Sequence, residues 1–545
     1  MLEDMKKLSF ALILLTTVSI HSQTVDSLPA TPVAKLVQSL AGTASPDVRS
    51  FYGPIGYSLA WTRNGRPTPQ AQAVIALLEN AAAKGLDAAD YDGGHWASRV
   101  AALRNDNALA TFDVALTEKV MRYASDLRIG RVRPDAVEFA LDATQDQIHL
   151  PFFVARLAAA NDVNAVVASI EPQHADYRRL LTALAKYRRI AAESQNDAPL
   201  PLVAKLAPGS EYAGVAQLAT ILRRNGDLTS DFTTGTRYEG ALVDAVKHFQ
   251  ARHGLDADGV IGRTTFAQLT TPAAKRVEQI ELALERWRWM PAQFAGPAIL
   301  VNIPEFKLTA RDDHAADGKE LTMRVVVGKA SRHETPVFDG DIKHVVFRPS
   351  WSVPPNIQRH EILPKIEKDH GYLARNRYEL VDNAGRSAGT HVDADTIRRI
   401  KNGSLRVRQT AGTHNALGLV KFLFPNDNHV YLHSTPQQAL FARSRRDFSH
   451  GCIRVEDPAE LAAWVLRAQP EWNETRIAAA MNGKRDDVYV KVQRPISVVL
   501  FYATAIAQEN GDVHFVEDIY GHDVQLAKVL APAAGRGAAV MVAAK

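Results

Sequence analysis

The chain has 545 residues, 46% hydrophobic and 23% charged, with a net charge of +4 and one cysteine. At roughly 150 residues per domain, this length predicts about three or four units rather than one core. The composition excludes wholesale disorder and a polytopic membrane protein, the lack of any Lys/Arg block argues against nucleic acid as a partner, and a lone cysteine excludes an internal disulfide.

The N-terminus, "MLEDMKKLSFALILLTTVSIHSQT", sets Lys6 and Lys7 before an apolar run from Leu8 to Ile20 and the small residue Ser22. This reads as a signal peptide over residues 1–22 that sends the protein to the periplasm. The run is shorter than the roughly 20 residues a membrane-spanning helix needs, which favours cleavage over anchoring. Residues 29–195 read as a helical domain: in "TPQAQAVIALLENAAAKGLDAADYD", Thr68 caps, Pro69 starts the first turn, and Val74, Leu77, Leu78 and Ala81 form an apolar face up to Gly85. No chemistry is evident there; His95, His149 and His174 are scattered.

Residues 197–272 carry "YEGALVDAVKHFQARHGLDADGVIGRTTFAQL". Leu242, Val246 and Phe249 share a helix face, Gly254 ends that helix, Asp258-Gly259 turns, and Gly262 precedes a helix bearing Phe266 and Leu269. This order resembles a small three-helix peptidoglycan-binding domain. Residues 273–295 read as a polar connector helix with Ile280, Leu284 and Trp287 on one side. Residues 296–485 are rich in short strands and are interrupted by a charged, helical and loop-like insert over 356–410. Residues 486–530 alternate like paired strands around Asn510-Gly511, and the Ala-rich tail 531–545 reads as disordered.

The chemistry concentrates in "YLHSTPQQALFARSRRDFSHGCIRVEDP", residues 431–458. A spare thiol is a liability in an oxidising compartment, so Cys452 is expected to be used. Strand alternation predicts His429, Tyr431 and His433 on one face and Val430 and Leu432 on the other. A thiol with a pKa near ~8.5 needs a base or a cationic neighbour, and His433 or His450 can supply one. Gly451 lets a carbonyl approach and leaves the Gly451 and Cys452 amides to hold an oxyanion. Arg443, Arg445 and Arg446 can steer an anionic substrate or simply form a solvated loop. With no Cys-x-x-Cys or His-Glu-x-x-His pattern, neither a metal nor another cofactor is expected. A papain-like order is disfavoured, because only His514 and His522 follow the cysteine.

The pattern His433, 15 residues, then Ser449-His450-Gly451-Cys452 resembles the active-site signature of the L,D-transpeptidases. "RWRWMP", "VNIPEFKL", "PSWSVPPNI" and "NALGLVKFLFPN" are similar to the large Gram-negative members. That resemblance implies a multidomain α+β protein: a helical scaffold, a three-helix peptidoglycan-binding domain, and a β-rich catalytic domain with a capping insert. It further implies Cys452 as nucleophile, His433 as base and Ser434 as orienter of that base, with the amides of His450, Gly451 and Cys452 around an oxyanion. Ser449, Arg454 and Tyr431 are substrate-positioning candidates; Arg454 stands where many small members have asparagine. The implied partners are donor and acceptor tetrapeptide stems, with carbapenems as inhibitors. The implied reaction is 3–3 cross-linking through a thioester; the alternatives are an L,D-carboxypeptidase, a lipoprotein-anchoring transpeptidase and a non-catalytic wall-binding protein. The insert is expected to be a lid with flexible joints at Gly371, Gly385, Gly389 and Gly403.

Overall fold

The computed structural model describes residues 31–142, 148–229, 235–312 and 320–531; the expected signal peptide and nearly all of the tail lie outside this range. Helices α1 (Pro32–Thr43), α2 (Pro69–Glu79), α3 (Asp106–Ile129) and α4 (Ala175–Glu193) dominate the N-terminal region. Thr68 caps α2 through the Ala71 amide, and Pro69 occupies its first turn. Val74 and Leu78 are buried on its inner face together with Trp61 and Trp96. Asp113 of α3 sits inside this core and accepts from the Ala60 and Trp61 amides and the Tyr52 hydroxyl, each at 2.8 Å. Burial still pushes its carboxyl up to about 6.

The next unit packs α5 (Val215–Asn225), α6 (Ala241–Arg252) and α7 (Arg263–Leu269) around Leu218, Leu222, Leu242, Val246, Phe249 and Leu269. Gln250 donates to Asp258 and Val260 and accepts from the Gly259 amide, which pins the turn between α6 and α7. Helix α8 (Ala273–Arg288) follows. Its Ile280, Leu284 and Trp287 are buried, but so are Glu285, Arg286 and Arg288, so it is a central strut rather than a solvated spacer. The two arginines are neutralised by Asp523 and Glu285.

The C-terminal region is a barrel. Its strands are β1 (Ala298–Asn302), β2 (Lys307–Arg311), β3 (Leu321–Gly328) and β4 (Phe338–Phe347), then, after an insert, β9 (Val420–Leu423), β10 (Leu432–His433), β11 (Asp447–Ser449), β12 (Ile453–Val455) and β13 (Val488–Phe501). The order is β11-β3-β12-β10-β9-β4-β13-β1-β2, and a further β2–β3 pairing closes it. Val325, Val345, Phe422, Leu432, Ile453 and Leu500 fill the inside. Helix α11 (Pro458–Leu466) begins at Asp457, whose side chain caps it through the Glu460 amide. Strand β13 joins β4 to β1, so the boundary drawn at 485 cuts ahead of a strand the barrel needs. Only β14 (Ala505–Ala507) and β15 (Val513–Phe515) form the hairpin expected around Asn510-Gly511, followed by α12 (His522–Leu530). Arg252 of α6 donates to the Val513 carbonyl and ties the three-helix unit to this hairpin. No described helix is long and apolar enough to cross a membrane.

The insert is a small folded unit. Strands β5 (Trp351–Ser352), β6 (Tyr378–Val381), β7 (Ser387–Gly389) and β8 (Arg406–Gln409) form a sheet in the order β5-β8-β6-β7, backed by α9 (Leu363–Lys368) and α10 (Ala394–Lys401). Its own core contains Ile362, Ile366, Leu373, Leu380, Ile400 and Val407. The four glycines expected to be joints instead sit at turns and element ends of this packed unit.

Candidate active site

The site is assembled by strand register. Lys421 of β9 lies opposite His433 of β10, and His433 opposite Arg454 of β12. The alternate residues Phe422, Leu432 and Ile453 point into the barrel core, which leaves Lys421, His433 and Arg454 on the outer face. The Ile453 amide donates to the Tyr431 carbonyl at 3.1 Å, placing Tyr431 beside Cys452 one step along the same face. Tyr431 and His433 rings meet edge to face at 5.7 Å. His429, expected on this face, instead sits in a turn with φ of 56° and offers only its carbonyl, 3.8 Å from Cys452 Sγ.

His433 is 5% exposed, and its Nδ1 lies 2.5 Å from the Ser434 carbonyl. A proton on Nδ1 leaves Nε2 as the basic nitrogen. Burial, with Arg454 and Lys421 adding their positive charge, pushes its pKa down to about 3, so the ring is neutral across ordinary pH. Gly418 makes room for this arrangement: a Cβ there would meet Ser434 Oγ and Cβ at 2.4 and 2.6 Å.

Cys452 is half-buried. Burial pushes its thiol up, while hydrogen bonds from Tyr431 and the charges of Lys421 and Arg454 pull it down. The segment before it is a tight turn: Ser449 Oγ donates to the Cys452 carbonyl at 2.5 Å and accepts from the Gly451 amide at 3.2 Å. That amide, expected to be free for an oxyanion, is thus engaged in this state. Gly451 has φ of 108°, a region closed to most side chains. Thr335, fully buried, donates to the Gly451 carbonyl and accepts from the Gly328 amide, both at 2.8 Å.

The folded insert reaches this face. Glu361 Oε1 lies 2.6 Å from His450 Nε2, and the His333 ring lies 4.6 Å from that of His450. Trp351 of the insert and Cys452 both act on the Tyr431 hydroxyl, whose pKa burial raises. Glu361 falls within a single π-helical turn, Gln358–Ile362, a local geometry often found at functional sites.

The arginine cluster is consumed largely by structure. Arg445 pairs with Asp447 and Glu517, Arg446 donates to the Val325 and Phe306 carbonyls, and Arg443 stacks over Phe448. Arg454 donates to Gln437 at 2.6 Å. Sequence reasoning missed Lys421, Thr335, Glu361 and Trp351. Lys421 alone left a signal, as the one charge in the apolar run "LGLVKFLF".

Comparison with known proteins agrees with this architecture. Residues 46–184 match a scaffold domain, residues 211–269 a "Putative peptidoglycan binding domain" and residues 296–490 the L,D-transpeptidase catalytic domain. The chain is a multidomain protein with an L,D-transpeptidase catalytic domain at its C-terminal side. It is 34% identical over 259 residues to a Haemophilus influenzae protein described as a "Putative L,D-transpeptidase", a match covering 47% of this chain and 50% of that one. The chain therefore spans about half the length of the curated relative it matches.

Proposed function

We propose that this protein is a periplasmic peptidoglycan L,D-transpeptidase that makes 3–3 cross-links between stem peptides. The observation carrying this reading is the shared outer face of Tyr431, His433, Cys452 and Arg454 inside a catalytic domain of that family. The Cys452 proton passes to His433 Nε2 as Sγ attacks the carbonyl between the third residue and the terminal D-Ala of a tetrapeptide donor. A C–S bond forms, the C–N bond breaks, and D-Ala leaves with the proton from His433. The side-chain amine of a second stem then attacks the thioester; its extra proton goes to His433, the new amide forms, and the thiol is restored. The Ser434 carbonyl keeps His433 in the required tautomer. The three-helix unit keeps the barrel on the wall polymer.

Incubation with a tetrapeptide donor and an acceptor stem, followed by mass spectrometry, tests this reading. A cross-linked dimer is expected from the wild type and none from Cys452→Ala. Release of D-Ala without dimer would make the protein an L,D-carboxypeptidase, and dimer formation by Cys452→Ala would overturn the mechanism. His433→Gln is expected to acylate about 10² to 10⁴ times more slowly, the range for loss of a general base. A carbapenem, which presents a strained acyl group, is expected to add its mass to Cys452.

A further inference from the structure

The resting site contains a charge that the acyl-transfer scheme leaves idle. Lys421 is a partly buried amine whose Nζ stands 3.7 Å from the centre of the Tyr431 ring. Its place is fixed from both sides: Val420 and Phe422 are locked into the barrel core, so the backbone must turn Lys421 onto the outer face opposite His433. The residues facing this spot are Tyr431, His433, Cys452 and Arg454 from the neighbouring strands, Asp487 at the entry to β13, and Trp351 from the insert. Among the described residues Asp487 is the carboxylate that acts on Lys421, and it also accepts from the Ser350 amide at 2.8 Å. Burying an ammonium is costly unless an opposite charge repays it. The aromatic ring repays part of that cost.

We propose that Lys421, held over the Tyr431 ring, is the positioning cation that stabilises the negative charge developing on Cys452 Sγ, with Arg454 supporting it from the far side of His433. The assignment rests on the functional reading above only for its catalytic consequence; the charge on sulfur can be measured without any substrate. Two observations favour this division of labour. Arg454 Nε is buried and has no hydrogen-bond partner among the described residues, so the guanidinium is held here with one donor uncommitted. His433, lying between the two cations, is a poor place for a lasting positive charge. An imidazolium formed there is a strong acid that hands its proton onward, whereas burial lowers the lysine's pKa and the negative charges of Cys452 and Asp487 pull it back up, so a charged sulfur favours the ammonium beside it. Lys421 thus does for the thiolate what a stable Cys–His ion pair does elsewhere, and it frees His433 to shuttle the proton.

The test is the pH dependence of Cys452 alkylation by iodoacetamide, read by intact mass on the full-length protein. Loss of this charge is expected to raise the midpoint by about one pH unit or more in Lys421→Met, which keeps the apolar stem over Tyr431. Lys421→Arg is expected to restore the wild-type midpoint, and His433→Gln to leave it in place, since the histidine is neutral at rest. Should Lys421→Met not fold, Lys421→Gln, which retains a polar tip, serves for the same measurement. An unmoved midpoint in the folded lysine variant, or a midpoint that moves with His433→Gln and not with the lysine, overturns the assignment. A midpoint shifted by Lys421→Met, in a protein whose wild type never acquires a carbapenem or donor acyl group, would sustain the electrostatic role and instead sink the transpeptidase reading.

Discussion

His433 is held neutral by burial and by two flanking cations, with its pKa moved from 6.5 to about 3. Below pH 6.5 the unfolded chain takes up a proton that the folded chain refuses, so this residue makes stability fall as pH drops from about 6.5 towards about 3. The contribution reaches up to about 1.4 kcal/mol per pH unit. Between pH 7 and pH 5 the wild type is therefore expected to lose up to about 2 kcal/mol more than His433→Gln, measured by urea unfolding of both at each pH. Comparing the two cancels groups such as Asp113, whose raised pKa acts in the opposite direction. Thr335 gives a second test. Thr335→Val would strand the Gly328 amide and the Gly451 carbonyl, costing about 1–3 kcal/mol and slowing carbapenem acylation, with Thr335→Ser recovering most of both. The grouping of Cys452 and His433 on one face was legible because short motif spacing survives any fold. Thr335 was not, because its two partners lie 7 and 116 residues away and only folding joins them.

Among the elements, α8 departs furthest from its sequence. Its alternation of charges reads as solvated, yet Arg286 is 1% exposed and bonds Asp523 of α12 at 2.5 Å. Periodicity reports which residues are apolar, and it cannot show that a carboxylate 237 residues away will neutralise a polar face. Asp523→Ala would leave that guanidinium buried and unpaired, a loss of about 3–5 kcal/mol visible as a lower thermal midpoint. The apolar half of α8 and the Thr68 cap of α2 did follow the pattern read from the sequence. The insert was legible as an interruption, while its separate core was not, because Ile362, Leu380 and Val407 are too widely spaced to show a period. Replacing residues 356–405 with a short linker removes Glu361 from His450 and is expected to speed iodoacetamide alkylation of Cys452 while cross-linking of stem peptides falls. Equal alkylation rates with and without the insert would mean that it does not shield the thiol.

Across the whole molecule, the helical region leans on the barrel through α4, α8 and the β14–β15 hairpin, which share one apolar cluster with β1 and β13. A separate apolar cluster belongs to the insert alone. The insert leaves the barrel after β4 and returns before β9, and its two ends pair with each other, Trp351 opposite Gln409 and Ser352 opposite Arg408. A unit that enters and exits through one zipped pair of strands, and that packs its own interior, can be exchanged for another of the same kind without asking the barrel to refold. The insert and the face that carries the thiol are in this way separately folded parts. A chimera carrying a relative's insert is expected to keep the barrel's thermal midpoint, measured by calorimetry, while the rate of Cys452 alkylation follows the new insert's contact with His450.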